Sequence, residues 1–503
     1  MCFAFTKSNK KNPVNKPAKN PSKKDYVLNY PPPIRVLSKS ESFLESNATS
    51  KDNGFEDSSY VHYQIIANRR CAIPKWTLNS STMFDMQQGG LGDCWLIAAI
   101  AGLAEVPNLM NFVLQVDHNE KVIQRYSATN HSECFKIMLF VNNNWQPIMV
   151  RPTLPVNYCN KPKYCNFGQD SVDCHGIDID QLELWPCFLE KALAIVMGSY
   201  EKLDGGLSKE AAYYLSGGMS RNLKFTDSHR LNSIKQFNFF KKVMDEGARV
   251  FFAVTNYSLL NSGFCEYDNN ICAGHAYAVK GFYKVKIEES GETEYLAAVY
   301  NPHGGNEWKN MPFNDDDEIW KSPRMVRNLE KCGVKNKLKN EGFFYLRFSD
   351  LLSVSDWFDW TRIPSEFMSK EKTNVHYKSL TQCLPKNKKP TLPTFRLPQF
   401  YNPDLHKMSY HFYISKKSEL LIELAIKDYR MKKNGCEMIG FKVLDKKCED
   451  KANVLCDKKP ELFSCGTNLC LKAGSYWIVP VIPKFHRLKH DLEVYVRIWK
   501  RQF

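Results

Sequence analysis

Residues 88–95 read Gln-Gly-Gly-Leu-Gly-Asp-Cys-Trp and lead into the apolar run Leu-Ile-Ala-Ala-Ile-Ala-Gly-Leu-Ala, which places the thiol of Cys94 at the first turn of an expected helix. A helix N-terminus carries about half a positive charge and unpaired N–H groups, so it favours thiolate over thiol and offers a backbone donor to an oxyanion. Gly89, Gly90 and Gly92 keep bulk away from the approach. A thiol nucleophile also needs an imidazole to take its proton, a group to orient that imidazole, and a second oxyanion donor. His275, in the alternating strand-like segment Ala-Gly-His-Ala-Tyr-Ala-Val-Lys, suits the base. Asn301 follows the strand pattern Tyr295–Tyr300, where Pro302 and Gly304 force a turn, and its amide can hold the ring. Gln88, six residues before Cys94, can aim its amide N–H₂ at the nascent oxyanion. Taken singly, these are a buried cysteine, a core histidine and a turn-starting asparagine. Cys, His and Asn in that order, each in its own local setting, point together to a thiol peptidase.

These motifs resemble those of the calpains, intracellular papain-like cysteine proteases. Besides QGGLGDCW, residues 187–219 are similar to the family's helix, glycine-rich hinge and second helix; GHAYAV carries the histidine and NPHGGNEW the asparagine. The resemblance implies Cys94 as nucleophile, His275 as base and acid, Asn301 as orienter and Gln88 as oxyanion donor. It implies an α+β fold, a papain-like two-lobed core followed by an all-β calpain-type sandwich. It also implies Ca²⁺ as cofactor. In the first lobe the ligands would be Asp85 and Glu183, completed by carbonyls near Leu78 and Ser80. In the second lobe Glu307 matches, but Asn314 stands where an aspartate is expected and Glu341-Gly342 where an acidic pair is, so that site is expected to be eroded. Asp315, Asp316 and Asp317 read as a solvated loop. His303 stands where the family usually has a tryptophan covering the His–Asn hydrogen bond. Losing that wall is expected to raise the local dielectric and weaken the hold on the imidazole.

The elements that must position these residues are legible in outline. With 503 residues, 43% hydrophobic and 13% aromatic, the chain can bury several cores. Residues 1–53 read as a disordered basic leader, 54–205 as a first protease lobe, 206–365 as a second, β-rich lobe carrying His275 and Asn301, and 366–503 as the sandwich. Helical patterns cover Glu183–Gly198, Ser208–Tyr214 and Ser233–Gly247; strand patterns cover Val250–Val254, His275–Tyr283, Tyr295–Tyr300 and Phe343–Phe348. Gly205-Gly206 is a hinge candidate, and lobe closure a possible switch. Past the Lys- and Pro-rich stretch Pro385–Pro393, segments Tyr410–Tyr413, Leu420–Ile426, Met438–Leu444, Ser475–Val481 and Leu492–Trp499 alternate as an antiparallel sandwich should.

Seventeen cysteines form an odd count without a disulfide-like pattern, the N-terminus lacks a secretory signal, and no run of eighteen apolar residues occurs, so a cytoplasmic protein with free thiols is expected. Cys159, Cys165, Cys174 and His175 lack zinc-knuckle spacing and read as an inserted loop. The net charge of +15 is uneven: residues 370–503 hold 27 basic against 13 acidic residues, and residues 1–53 hold 10 against 4. The basic sandwich is expected to meet anionic phospholipid and place the protein peripherally at membranes. No nucleic-acid module accompanies the charge. No EF-hand loop follows the sandwich, so no small calpain subunit is expected as partner. The function expected is limited endoproteolysis of cytosolic proteins through a thioester, with protein substrates. The alternative is a weak or silent homologue serving as a membrane- or protein-binding scaffold. A transglutaminase, which normally orients its histidine with aspartate, is disfavoured by Asn301.

Overall fold

In the computed structural model the described residues are 60–62, 86–115, 135–150, 153–155, 165–167, 185–254, 270–288, 290–305, 307–335, 342–368, 376–379, 394–397, 409–426, 438–445, 454–482 and 492–502. The expected leader, Asp85, Glu183, Leu78, Ser80, Glu341, Cys159, Cys174, His175 and the Pro385–Pro393 stretch lie outside them. The architecture is mixed α+β with antiparallel sheets throughout.

The N-terminal part holds helices α1 (Cys94–Ala104), α2 (Pro107–Leu114) and α3 (Trp185–Met197). Its short strands are β1 (Tyr60–His62), β2 (Met86–Gln87), β3 (Phe135–Val141), β4 (Asn144–Val150), β5 (Thr153–Pro155) and β6 (Asn166–Phe167). Every residue of α1 is buried, as an all-round apolar helix requires. It lies between α4 (Ser208–Ser216) on one side and strands β8 (Ala248–Val254) and β9 (His275–Lys286) on the other. The approach to β8 is close enough that a Cβ on Gly102 would stand 2.7 Å from Cε1 of Phe251.

Those two strands belong to a six-stranded sheet ordered β11-β10-β9-β8-β12-β7, with β7 Met219–Lys224, β10 Thr293–Tyr300, β11 Phe343–Arg347 and β12 Trp357–Arg362. Helices α5 (Asp227–Leu231), α6 (Ser233–Asp245), α7 (Pro323–Lys331) and α8 (Phe348–Val354) complete this part. Phe237 and Phe240 of α6, with Phe348 and Leu351 of α8, join the apolar core on the sheet. Antiparallel pairing does the essential positioning: β9 starts at the edge where β10 ends, with Tyr300 opposite Ala278. His275 and Asn301 therefore meet although 26 residues separate them.

Beyond β12 two further sheets form. One is ordered β13-β21-β16-β19, with β14 also on β21; the other is β15-β20-β17-β18. Their strands are β13 (His376–Ser379), β14 (Thr394–Leu397), β15 (Tyr410–Ile414), β16 (Ser418–Ile426), β17 (Met438–Leu444), β18 (Val454–Leu462), β19 (Ser464–Leu471), β20 (Gly474–Val481) and β21 (Leu492–Gln502). Leu420, Ile422 and Leu424 from β16 share one core with Ile439, Phe441 and Val443 from β17 and Ile478 from β20. The outer face of β16 does not face water. Leu421 packs with Met219 and Trp499, and Glu423 pairs with Arg497 at 2.7 Å. Arg497 also donates to the carbonyls of Gly217 and Gly218, the backbone of Ser220 donates to Glu423 at 3.0 Å, and Lys209 of α4 reaches Glu461 and the carbonyl of Ser464, each at 3.1 Å. The sheet pair is thus joined to α4 and β7 by buried polar contacts.

Candidate active site

His275 is 4% exposed and Asn301 fully buried. The Asn301 Nδ2 group donates to the Gly305 carbonyl at 3.0 Å, which turns Oδ1 toward His275 at 2.7 Å from Nε2. An amide oxygen only accepts, so Nε2 carries the proton and Nδ1 keeps its lone pair as the basic nitrogen. The turn holding Asn301 is fixed in turn: its N–H donates to Gly342 at 2.8 Å, and Gly342 at φ +83° leaves no room for a Cβ, which would sit 2.7 Å from the Asn301 carbonyl oxygen. Burial, then the nearby His303, push the His275 pKa down to about 3, against the opposing bond to Asn301.

The wall expected to be lost at His303 is present. Its ring stacks on that of His275 with centroids 4.0 Å apart and planes at 28°, because an imidazole is flat and can cover another as an indole would. Behind this pair, Tyr277 stands edge-on to His275 at 4.8 Å and its hydroxyl accepts from Trp308 Nε1 at 3.2 Å.

Three contacts join the segment from Met86 to Gln88 to the Asn301 turn. The Tyr300 hydroxyl donates to the Met86 carbonyl, the Gln88 N–H to the Pro302 carbonyl at 2.7 Å, and Gln87 Nε2 to the Gly304 carbonyl at 3.2 Å. One N–H of the Gln88 side-chain amide donates to the Leu91 carbonyl at 2.5 Å; a carboxamide has a second. Cys94, 3% exposed, opens α1, and it acts electrostatically on Tyr277, two residues along β9 from His275. At the other end of α1, Lys280 of β9 donates to the Ala101 carbonyl at 2.8 Å and pairs with Glu105 at 3.0 Å. Arg249 of β8 donates to the Gly102 carbonyl at 3.1 Å. Cations on the last carbonyls of a helix complement its dipole, and here they lock the register of α1 against β9.

Sequence reasoning missed this clamp, since Lys280 and Arg249 meet backbone carbonyls that have no side-chain signature. It also missed Asp93. That residue is fully buried, and its side chain meets the Glu190 carboxyl of α3. Burial first, then the neighbouring carboxylate, push Glu190 well above the usual carboxylate range; burial drives Asp93 to about 7. Two buried carboxyls in contact retain a proton between them. Glu190 also accepts the N–H of Cys165 at 3.1 Å. Cys165 is buried beside Cys187, while the other members of the expected inserted loop, Cys159, Cys174 and His175, lie outside the described residues.

Of the expected calcium ligands, Asp85 and Glu183 lie outside the described residues. Glu307 is buried and accepts the Gly342 N–H at 2.9 Å. Asn314 donates to the Trp308 carbonyl at 3.1 Å, and Asp317 accepts from Phe313 and Ile319 as a helix cap. One Glu307 oxygen and both Asp317 oxygens thus accept backbone N–H groups of the loop, and among the described residues no three His, Cys, Asp or Glu converge as a metal site. The described second-lobe side chains therefore present no converging carboxylate set for a calcium ion. The described cysteines form no disulfide with one another.

The sequence profile described as calpain family cysteine protease matches residues 59–361. The calpain-2 catalytic subunit of Rattus norvegicus is 28% identical over 284 residues, 56% of this chain and 36% of that protein. Calpain-9 of Mus musculus is 28% identical over 279 residues, 55% and 36%, and a calpain of Schistosoma mansoni is 27% identical over 283 residues, 56% and 33%. The matched region thus spans about a third of the length of these relatives. Among solved structures, the plant receptor-like kinase ANX1 matches 57% of this chain and 82% of its own at 7% identity and a TM-score of 0.16, too low to speak to the fold.

Proposed function

The chain belongs to the calpain family of cysteine proteases, and on that premise we propose that it is an endopeptidase whose nucleophile is Cys94, working in a papain-like arrangement. The observation that carries the reading is the bond of His275 Nε2 to Asn301 Oδ1 at 2.7 Å, with the amide turned by Gly305. That bond fixes the tautomer a general base needs, with Nδ1 unprotonated.

In the proposed reaction Nδ1 takes the Cys94 proton as sulfur attacks the peptide carbonyl, and the oxyanion meets the Cys94 backbone N–H and the second N–H of Gln88. His275 then protonates the departing amine, the C–N bond breaks, and a thioester remains. Water, deprotonated by Nδ1, hydrolyses it and returns the thiol. A neutral resting imidazole, as burial dictates, becomes the stable imidazolium only when the thiolate charge is opposite it.

Limited cleavage of cytoplasmic proteins is the role this reading favours, with the sandwich's basic surface meeting anionic phospholipid at membranes. Calcium is retained as a regulator through Asp85 and Glu183 alone, where it would supply charge that draws loops together. The test is turnover of an unfolded protein substrate by the purified chain, with and without calcium. Cys94→Ala should abolish it while leaving the folded spectrum intact; undiminished cleavage by that variant would refute the assignment.

A further inference from the structure

His303 is tied to the reacting pair twice. Its ring lies over His275 at 4.0 Å, and its backbone N–H donates at 3.1 Å to Asn301 Oδ1, the oxygen that also accepts from His275. The backbone bond places the Cα of His303 beside the Asn301 amide, from where its ring reaches over His275. Cys272 also lies beside the His303 ring, its sulfur 3.9 Å from Nδ1.

Two stacked imidazoles at this distance cannot both be charged without strong repulsion, since part of the site is closed to water. The surrounding titratable groups do not offset that charge. Cys272 lies ahead of β9 with its N–H on the Tyr277 hydroxyl, Tyr277 is a neutral phenol whose ionisation burial opposes, and the Glu307 carboxylate is turned to the Gly342 N–H and does not figure among the causes acting on either histidine. On the peptidase reading the thiolate of Cys94 is the partner His275 needs.

We propose that His303 is a positioning residue that holds the His275 ring by stacking and, when protonated, denies His275 its charge, so that the thiolate–imidazolium pair forms only while His303 is neutral. The inference rests on the peptidase reading for its consequence and on geometry alone for the coupling. It predicts an acid limit on activity set by two protons rather than one, the second belonging to His303. Tryptophan at this position would keep the cover and remove the second proton.

The test has two arms on the full chain. In the first, histidine-ring NMR titration in a Cys94→Ala background compares the parent with His303→Trp and His303→Phe. Loss of the second imidazole should raise the apparent pKa of His275 by at least about half a unit, a threefold change in its proton affinity. Equal His275 titration in all three would overturn the proposal. In the second, the rate of Cys94 alkylation by a peptidyl epoxide is followed against pH. The parent should fall with a slope approaching two on the acid side and His303→Trp with a slope of one, while His303→Ala loses rate across the whole range and His303→Trp restores it. Identical acid limbs in parent and His303→Trp would also overturn the proposal. Coupling in the first arm with no alkylation in any variant would uphold the His303–His275 link and refute the peptidase reading instead.

Discussion

The ammonium of Lys280 on β9 reaches the carbonyl of Ala101 on α1 at 2.8 Å. The contact lies five residues along the strand from His275 and seven along the helix from Cys94, so one buried bond registers the element carrying the base against the element carrying the thiol. Lys280→Met keeps the side-chain volume and removes that bond. Denaturant unfolding should show a loss of about 1–3 kcal/mol, the cost of stranding a buried carbonyl and Glu105. Epoxide labelling of Cys94 should slow about ten- to a hundredfold, since small misplacements of reacting groups cost that much. Loss of stability with an unchanged labelling rate would show that the register is set elsewhere.

The Arg497–Glu423 pair between the sheets and α4 makes an asymmetric prediction. Arg497→Met leaves a carboxylate buried without its cation and should cost about 3–5 kcal/mol. Glu423→Gln still offers an oxygen to the Ser220 N–H and leaves Arg497 on the Gly217 and Gly218 carbonyls, so its cost should be nearer about 1–2 kcal/mol. Equilibrium unfolding of both variants checks the order, and the reverse order would contradict the contact as described.

A third prediction concerns acid. With its pKa near 3 in the folded chain against an ordinary 6.5, His275 takes up its proton first in the unfolded chain. Stability from this group is complete above pH 6.5 and is lost as pH falls toward 3, at up to about 1.4 kcal/mol per pH unit. In a Cys94→Ala background, His275→Asn should flatten the stability curve between pH 6 and 4. A curve equally steep in both would mean that the histidine is not held neutral.

What could be read from the residues divides along physical lines. Cys94, His275 and Asn301 stood out because each sits in a short local pattern, an apolar helix start or the two ends of alternating strands, and antiparallel pairing of β9 with β10 then does the rest. Strand β16 was visible as Leu420–Ile426, but nothing local says that Glu423 within it is buried against Arg497 seventy-four residues on. Strand β18 was missed because Asp457, Lys458 and Lys459 disguise an edge strand as a charged loop. The β3–β4 hairpin was missed too, although Asn142 and Asn143, at φ +51° and +64°, are the residues such a tight turn prefers. The cover at His303 was misjudged because the residue type was weighed without the ring stacking that the fold brings about.

The central claim is that Cys94 is a thiol activated by His275, and its most direct test is site-resolved covalent capture. The full chain is treated with a stoichiometric peptidyl epoxide, with and without calcium, and the adduct is located by peptide mass mapping beside His275→Ala. The account predicts one adduct, on Cys94, formed at least about a hundredfold faster than in His275→Ala. An adduct spread over other cysteines, or one on Cys94 at a rate indifferent to His275, would contradict it.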